Sequence, residues 1–226
     1  MALDSARALL GDLLNDLTAR EKTWLRACYA NALTTVAFQL GDTGLFEQAS
    51  GTYKECLAIM KEEDAPFEWA IFHKHLAAVL QAIAERSHNN DILGEAADIY
   101  RIALKGISQT KQPFEWAAVQ SRLGEVLYRL DFESGDIEML KHTLSAFQSS
   151  LRVYSHTKTP MCWAEAMDNL AQVTQVLGEV LKSAEALEKA AQACRAAPEV
   201  RTKAEVPLLW AASKTTSARP CSYWAR

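Results

Sequence analysis

Few residues of this chain stand where their type and spacing could do chemistry. His73 and His75 come nearest to a metal-binding pair, but two residues apart on a helix they point about 200° away from each other and cannot share an ion. The five cysteines, Cys28, Cys56, Cys162, Cys194 and Cys221, lie far apart, without the CxxC spacing of a zinc or redox site. Carboxylates gather at Glu62, Glu63 and Asp64 and again at Asp131, Glu133 and Asp136. Both groups fall in or beside connecting turns, where solvated charge is expected and acid–base catalysis is not. No GxGxxG, GxxxxGK[ST] or HExxH signature occurs. The sequence therefore predicts a protein that is not an enzyme, with no catalytic residues, metal or cofactor.

The elements around these residues are bounded first by composition. The chain has 226 residues, 49% hydrophobic and 23% charged, which is the make-up of an ordinary globular protein. Its 9 glycines and 6 prolines argue against a turn-rich all-β fold. With 28 acidic against 24 basic residues, a net charge of -4, it lacks the basic excess that a phosphate backbone requires, so no nucleic-acid partner is expected. An odd number of widely spaced cysteines predicts reduced thiols and a cytoplasmic location. Asp4 and Arg7 interrupt the stretch where a signal peptide would be apolar, and no run of 18 apolar residues occurs, so neither secretion nor a membrane is expected.

A repeat organises the rest. Pro66-Phe67-Glu68-Trp69-Ala70 returns as Pro113-Phe114-Glu115-Trp116-Ala117, then as Pro160-Met161-Cys162-Trp163-Ala164 and Pro207-Leu208-Leu209-Trp210-Ala211, each step 47 residues. A constant period of this size marks a solenoid of stacked supersecondary units. Behind each Trp, apolar residues recur at helical spacing: Phe72, Leu76, Val79, Leu80 and Ile83, then Val119, Leu123, Val126, Leu127 and Leu130. We call this helix A. A second stripe, helix B, follows as Leu93, Ala96, Ala97, Tyr100, Ala103, Leu104 and Ile107, repeated from Leu140 to Tyr154 and foreshadowed from Phe46 to Met60. The first helix A is expected from Ala27 to Leu40, with Tyr29, Leu33, Val36 and Leu40 on its stripe and a following turn, Gly41-Asp42-Thr43-Gly44, four residues shorter than the equivalent Glu85 to Asp91. Ala70, Ala96, Ala103, Ala117 and Ala164 are expected where helices approach closely. The chain thus reads as an all-α, right-handed α-solenoid of stacked antiparallel helix pairs, with an N-terminal capping helix over residues 1–18, the array over 19–212 and a non-repeat tail over 213–226.

Trp116, Leu123, Gly124, Phe147 and Pro160, with Trp69, Leu76, Ala77, Ala97, Tyr100, Ala103 and Pro113 in the preceding copy, resemble the tetratricopeptide repeat (TPR), in a long-period, bacterial-type variant. The usual unit is about 34 residues, so the extra length falls in the inter-helix turn and helix B. The resemblance implies a concave groove lined by helix A, at positions two before and two and five after the repeat leucine. In this sequence these are Asn31, Thr35 and Phe38; Lys74, Ala78 and Gln81; Ser121, Glu125 and Tyr128; and Asp168, Gln172 and Gln175. It further implies a non-catalytic scaffold that holds a protein or peptide partner in the groove. The alternative is a sensor or docking fragment of a larger regulatory or enzymatic polypeptide.

The repeat stops after Trp210-Ala211-Ala212-Ser213. Beyond it, Ser217, Cys221, Ser222, Tyr223 and Trp224 all have codons that can begin with T, so one frame over each gives an apolar residue, at offsets that include the helix A stripe. This predicts a reading-frame shift after Ser213, an out-of-frame peptide over 214–226, and an uncapped apolar end open to self-association.

Overall fold

The computed structural model describes residues 17–131 and 136–196. Those residues form eight α-helices and no strand: α1 (Ala19–Leu40), α2 (Thr43–Ile59), α3 (Pro66–Ser87), α4 (Asn90–Gly106), α5 (Pro113–Asp131), α6 (Ile137–Leu151), α7 (Pro160–Val180) and α8 (Ala184–Ala196). The expected capping helix before residue 17, Glu133, the fourth Pro-Trp copy and the tail over 213–226 lie outside the described residues. The odd-numbered helices are helix A and the even-numbered ones helix B. The chain divides between Ile107 and Ser108 into two compact units. In the first, α1, α2, α3 and α4 each pack on the next, and α1 also touches α3; the second repeats this with α5 to α8. The fold is the all-α solenoid of helix pairs that the 47-residue period predicts.

Its punctuation keeps that period more strictly than its apolar stripe does. Gly41 (φ 69°), His88 (φ 50°) and Lys182 (φ 51°) are the positive-φ residues among those described. They end α1, α3 and α7 in the left-handed conformation that turns the chain out of a helix. Each is followed by an N-cap side chain that accepts hydrogen bonds from the next helix: Asp42 from Gly44 and Leu45, Asn89 from Asp91 and Ile92, Ser183 from Ala186. Asp136 caps α6 in the same way by accepting from Glu138 N–H. On the other side of each pair, Pro66 and Pro160 open α3 and α7, where a missing N–H costs nothing.

This corrects the register of the first repeat. Gly41 and Asp42 stand 47 residues before His88 and Asn89, so the first A–B turn is not shorter than the second. Leu33 is the counterpart of Leu80, and Tyr29 that of Leu76. A slip of four residues rotates a helix by only about 40°, so the apolar stripe fits both registers and only the caps decide. Accordingly Ala27, Ala30, Leu33 and Ala37 are buried, Tyr29 and Val36 are half-buried, and Leu40 is 69% exposed rather than on the core face.

The helix B stripes are buried as expected at Phe46, Tyr53, Cys56, Tyr100, Leu140 and Phe147. Ala70, Ala96, Ala103, Ala117 and Ala164 are fully buried, and Ala70 stands at a close approach of α3 and α4. Trp69, Trp116 and Trp163 are half-buried, Trp69 packing at 4.1 Å on the His73 ring and Trp163 at 5.2 Å on His156. Two glycines show how tight the layers are. A Cβ on Gly124 would stand 2.8 Å from the Phe147 ring, and one on Gly106 would press on the Pro66 carbonyl oxygen and 2.7 Å from the Ala70 methyl. In the first repeat the Gly106 position is Ile59, and there a pocket of about 200 Å³, lined by Ala19, Thr23, Ile59 and Met60 among others, lies between the α2 end and the α1 start.

Candidate binding face

The helix A positions singled out in the sequence divide by burial. Asn31, Thr35 and Phe38 are exposed on α1. Lys74, Ala78, Glu125, Tyr128, Gln172 and Gln175 are half-buried on α3, α5 and α7. Gln81, Ser121 and Asp168 are buried, at 6%, 9% and 9% exposure, so these three line the packed interior and are not open groove positions. The register correction explains part of this. Asn31, Thr35 and Phe38 correspond to Ala78, Ala82 and Glu85, and the row that begins with Lys74, Ser121 and Asp168 starts in α1 at the buried Ala27.

In the first unit the face is tied to helix B by tyrosine hydroxyls. Tyr53, fully buried on α2, donates to Asn31 Oδ1 at 2.6 Å and stacks its ring on His75 of α3, centroids 5.8 Å apart at 12°. Tyr53 thus links α1, α2 and α3 in one layer. Burial pushes its phenol far above the ordinary range, so it stays a donor. One period on, Tyr100 donates to Gln81 Oε1 at 3.1 Å, and Gln81 Nε2 donates to Glu85 Oε1 at 2.9 Å. Gln81 is therefore a satisfied interior amide, which is how a polar side chain survives burial. The next helix B carries Phe147 instead, and Tyr128 takes the helix A position that Gln81 holds, packing on the Leu140–Phe147 cluster.

His73 and His75 part company as their spacing requires. His73 Nδ1 lies 2.9 Å from the Trp69 carbonyl, and desolvation lowers its pKa below the usual histidine range. Among the described residues no group of three His, Cys, Asp or Glu could hold a metal ion. In the second unit Arg122 donates to Glu125 at 2.9 Å, and Gln175 to Glu179 at 2.9 Å, which presents a pinned array of charges and amides along α5 and α7. At the C-terminal end of α1, Phe38 stands 57% exposed, edge-on to Phe46 at 4.9 Å, with the Arg86 guanidinium 5.5 Å and 4.6 Å from the two ring centroids. The tyrosine–amide pairs and this cation–aromatic cluster escape the sequence analysis because they join residues of different helices; the 47-residue spacing of Tyr53 and Tyr100 is the signal that would have found the first.

No protein-family model matches the chain, and no curated protein is similar to it. Solved structures are. BtubC (BKLC) from P. vanneervenii is similar over 96% of this chain and 78% of its own, with 15% identity and a TM-score of 0.59. The DHF58 filament protein matches 88% of this chain and 97% of its own at 18% identity, TM-score 0.43, and the de novo designed helical repeat protein DHR64 matches 80% and 93% at 20% identity, TM-score 0.38. At such identities BtubC carries the fold alone. No helix among the described residues is long and apolar enough to cross a membrane.

Proposed function

We propose that the protein is a non-catalytic scaffold of the tetratricopeptide-repeat type that holds a peptide segment of a partner protein against helix A within each unit. The observation that supports this is the contrast between neighbouring rows of one helix. The packing row Ala30, Ala77, Gly124 and Ala171 stays small and buried in the four described repeats, whereas the row beside it runs Asn31, Ala78, Glu125 and Gln172, accessible and different each time. A row under packing constraint is monotonous, and one that reads a ligand can differ from unit to unit. Asn31 is held by Tyr53 and Glu125 by Arg122, so the side chains that would meet a peptide are ordered before it arrives, which reduces the entropy lost on binding. A cytoplasmic, bacterial-type interaction protein is the setting this reading fits.

Selection of binders from a random peptide library on the full chain, followed by amide hydrogen exchange with and without the selected peptide, tests the proposal. Protection gained on α1 and α3, or on α5 and α7, is expected. Protection confined to α2, α4 and α6 would overturn it.

A further inference from the structure

The connections that lead from helix B into the next helix A carry a second pattern, independent of the helix A face. In the second unit Ser108-Gln109-Thr110-Lys111-Gln112-Pro113-Phe114 returns as Ser155-His156-Thr157-Lys158-Thr159-Pro160-Met161. Both are built as the same turn. The Ser108 and Ser155 hydroxyls accept from Lys111 N–H (3.4 Å) and Lys158 N–H (3.0 Å), while Gln112 Oε1 and Thr159 Oγ1 accept from Ser108 N–H (3.1 Å) and Ser155 N–H (3.0 Å). Each turn holds out one lysine and, three residues on, one apolar side chain. Lys111 and Lys158 are exposed, and Phe114 and Met161 are 54% and 39% exposed. The fold does not need an apolar residue there, since the α1 counterpart of Phe114 is the exposed Arg20. A lone exposed phenylalanine needs no explanation, but the same lysine–apolar pair on two identical turns does.

The corresponding turn of the first unit has the opposite sign. It carries Glu62, Glu63 and Asp64, all exposed, followed by the half-buried Phe67. None of these three acids, nor Lys111 or Lys158, makes an ion pair with a described residue. We infer that the lysine–apolar turns of one molecule dock the acidic turn of a second copy of this chain, Lys111 and Lys158 facing Glu62, Glu63 and Asp64 while Phe114 and Met161 are covered. The two charge sets are of opposite sign and form no ion pair with a described residue, and each lysine stands three residues from an exposed apolar side chain, the combination of complementary charge and apolar surface that an interface uses.

Sedimentation equilibrium of the full chain over micromolar to millimolar concentration tests this. The parent is expected to associate, and to do so more weakly in high salt because the contacts are charged and solvent-facing. The pair Lys111→Glu with Lys158→Glu and the pair Glu62→Lys with Glu63→Lys are each expected to raise the dissociation constant at least about tenfold, and an equimolar mixture of the two variants to associate again. The milder Lys→Ser and Glu→Gln pairs, checked by circular dichroism, serve if a charge reversal disturbs folding. A parent that stays monomeric, association that ignores these substitutions, or a mixture that fails to recover it would overturn the inference. Binding of an alternating Glu–Leu peptide or of phosphatidylserine vesicles, lost on Lys111→Glu with Lys158→Glu while the chain remains monomeric, would assign the turns to another partner instead.

Discussion

Tyr53 and Tyr100 occupy equivalent places, and both hydroxyls donate to a side-chain amide, yet their removal should not cost the same. Gln81, the acceptor of Tyr100, is buried, so Tyr100→Phe leaves an amide oxygen without its donor and is expected to destabilise by about 1–2 kcal/mol. Asn31, the acceptor of Tyr53, is exposed and water replaces the lost donor, so Tyr53→Phe should cost less than about 0.5 kcal/mol of stability. Urea midpoints of the two variants decide; equal losses would contradict the assignment of Gln81 to the interior. The thiols separate on the same ground. Cys56 is buried with its Sγ 3.5 Å from the Thr23 carbonyl, and burial pushes its pKa from an ordinary 9.0 to about 11, whereas Cys28 and Cys162 are exposed. Below pH 9 the thiol is protonated in both states and contributes fully. Between 9 and 11 the unfolded chain ionises first, so this contribution falls as pH rises. Peptide mapping after iodoacetamide treatment should find Cys28 and Cys162 modified and Cys56 spared up to about pH 10 in the folded protein. At this scale the sequence made Phe46, Tyr53, Cys56, Tyr100 and Phe147 legible as core, since their helical spacing repeats from one helix B to the next. It hid which polar neighbours they bond, because that depends on contacts between helices.

The helices are where sequence reading succeeded and where it slipped. Period and stripe located both members of each pair, because amphipathic spacing is set by burial and burial recurs in every copy. The slip in α1 came from the insensitivity of a stripe to a four-residue shift, and it moved Asn31, Thr35 and Phe38 into the wrong row. Caps are the sharper ruler: Asp42, Asn89, Asp136 and Ser183 all follow the 47-residue step. The left-handed residues before Asp42, Asn89 and Ser183 also make a prediction. Gly41 adopts this conformation without strain, while His88 has a Cβ that opposes it. His88→Gly is expected to raise stability by about 0.5–1 kcal/mol, and Gly41→Ala to lower it by about 1 kcal/mol although nothing crowds a methyl there. Thermal or urea denaturation checks both; a destabilised His88→Gly variant would mean that the histidine side chain contributes more than its backbone conformation costs.

For the whole molecule, the solenoid class was legible because one period runs through the chain, and a period of this kind leaves stacked helix pairs as the architecture. The proposed binding face was legible only in part. A groove position inferred from a repeat frame need not be open, since the layers press Gln81, Ser121 and Asp168 into the interior. What remains accessible on helix A includes Lys74 on α3 and Glu125 on α5, and these carry the central claim that helix A meets the partner. The direct test compares, by isothermal titration, a library-selected peptide binding to the parent, to Lys74→Glu and Glu125→Lys, and to two helix B controls, Lys54→Glu on α2 and Lys141→Glu on α6. The account predicts at least about a tenfold loss of affinity, or about 1.4 kcal/mol, in one or both of the helix A variants and less than about a twofold change in the controls. Unchanged affinity in both helix A variants with a loss in the controls would contradict it.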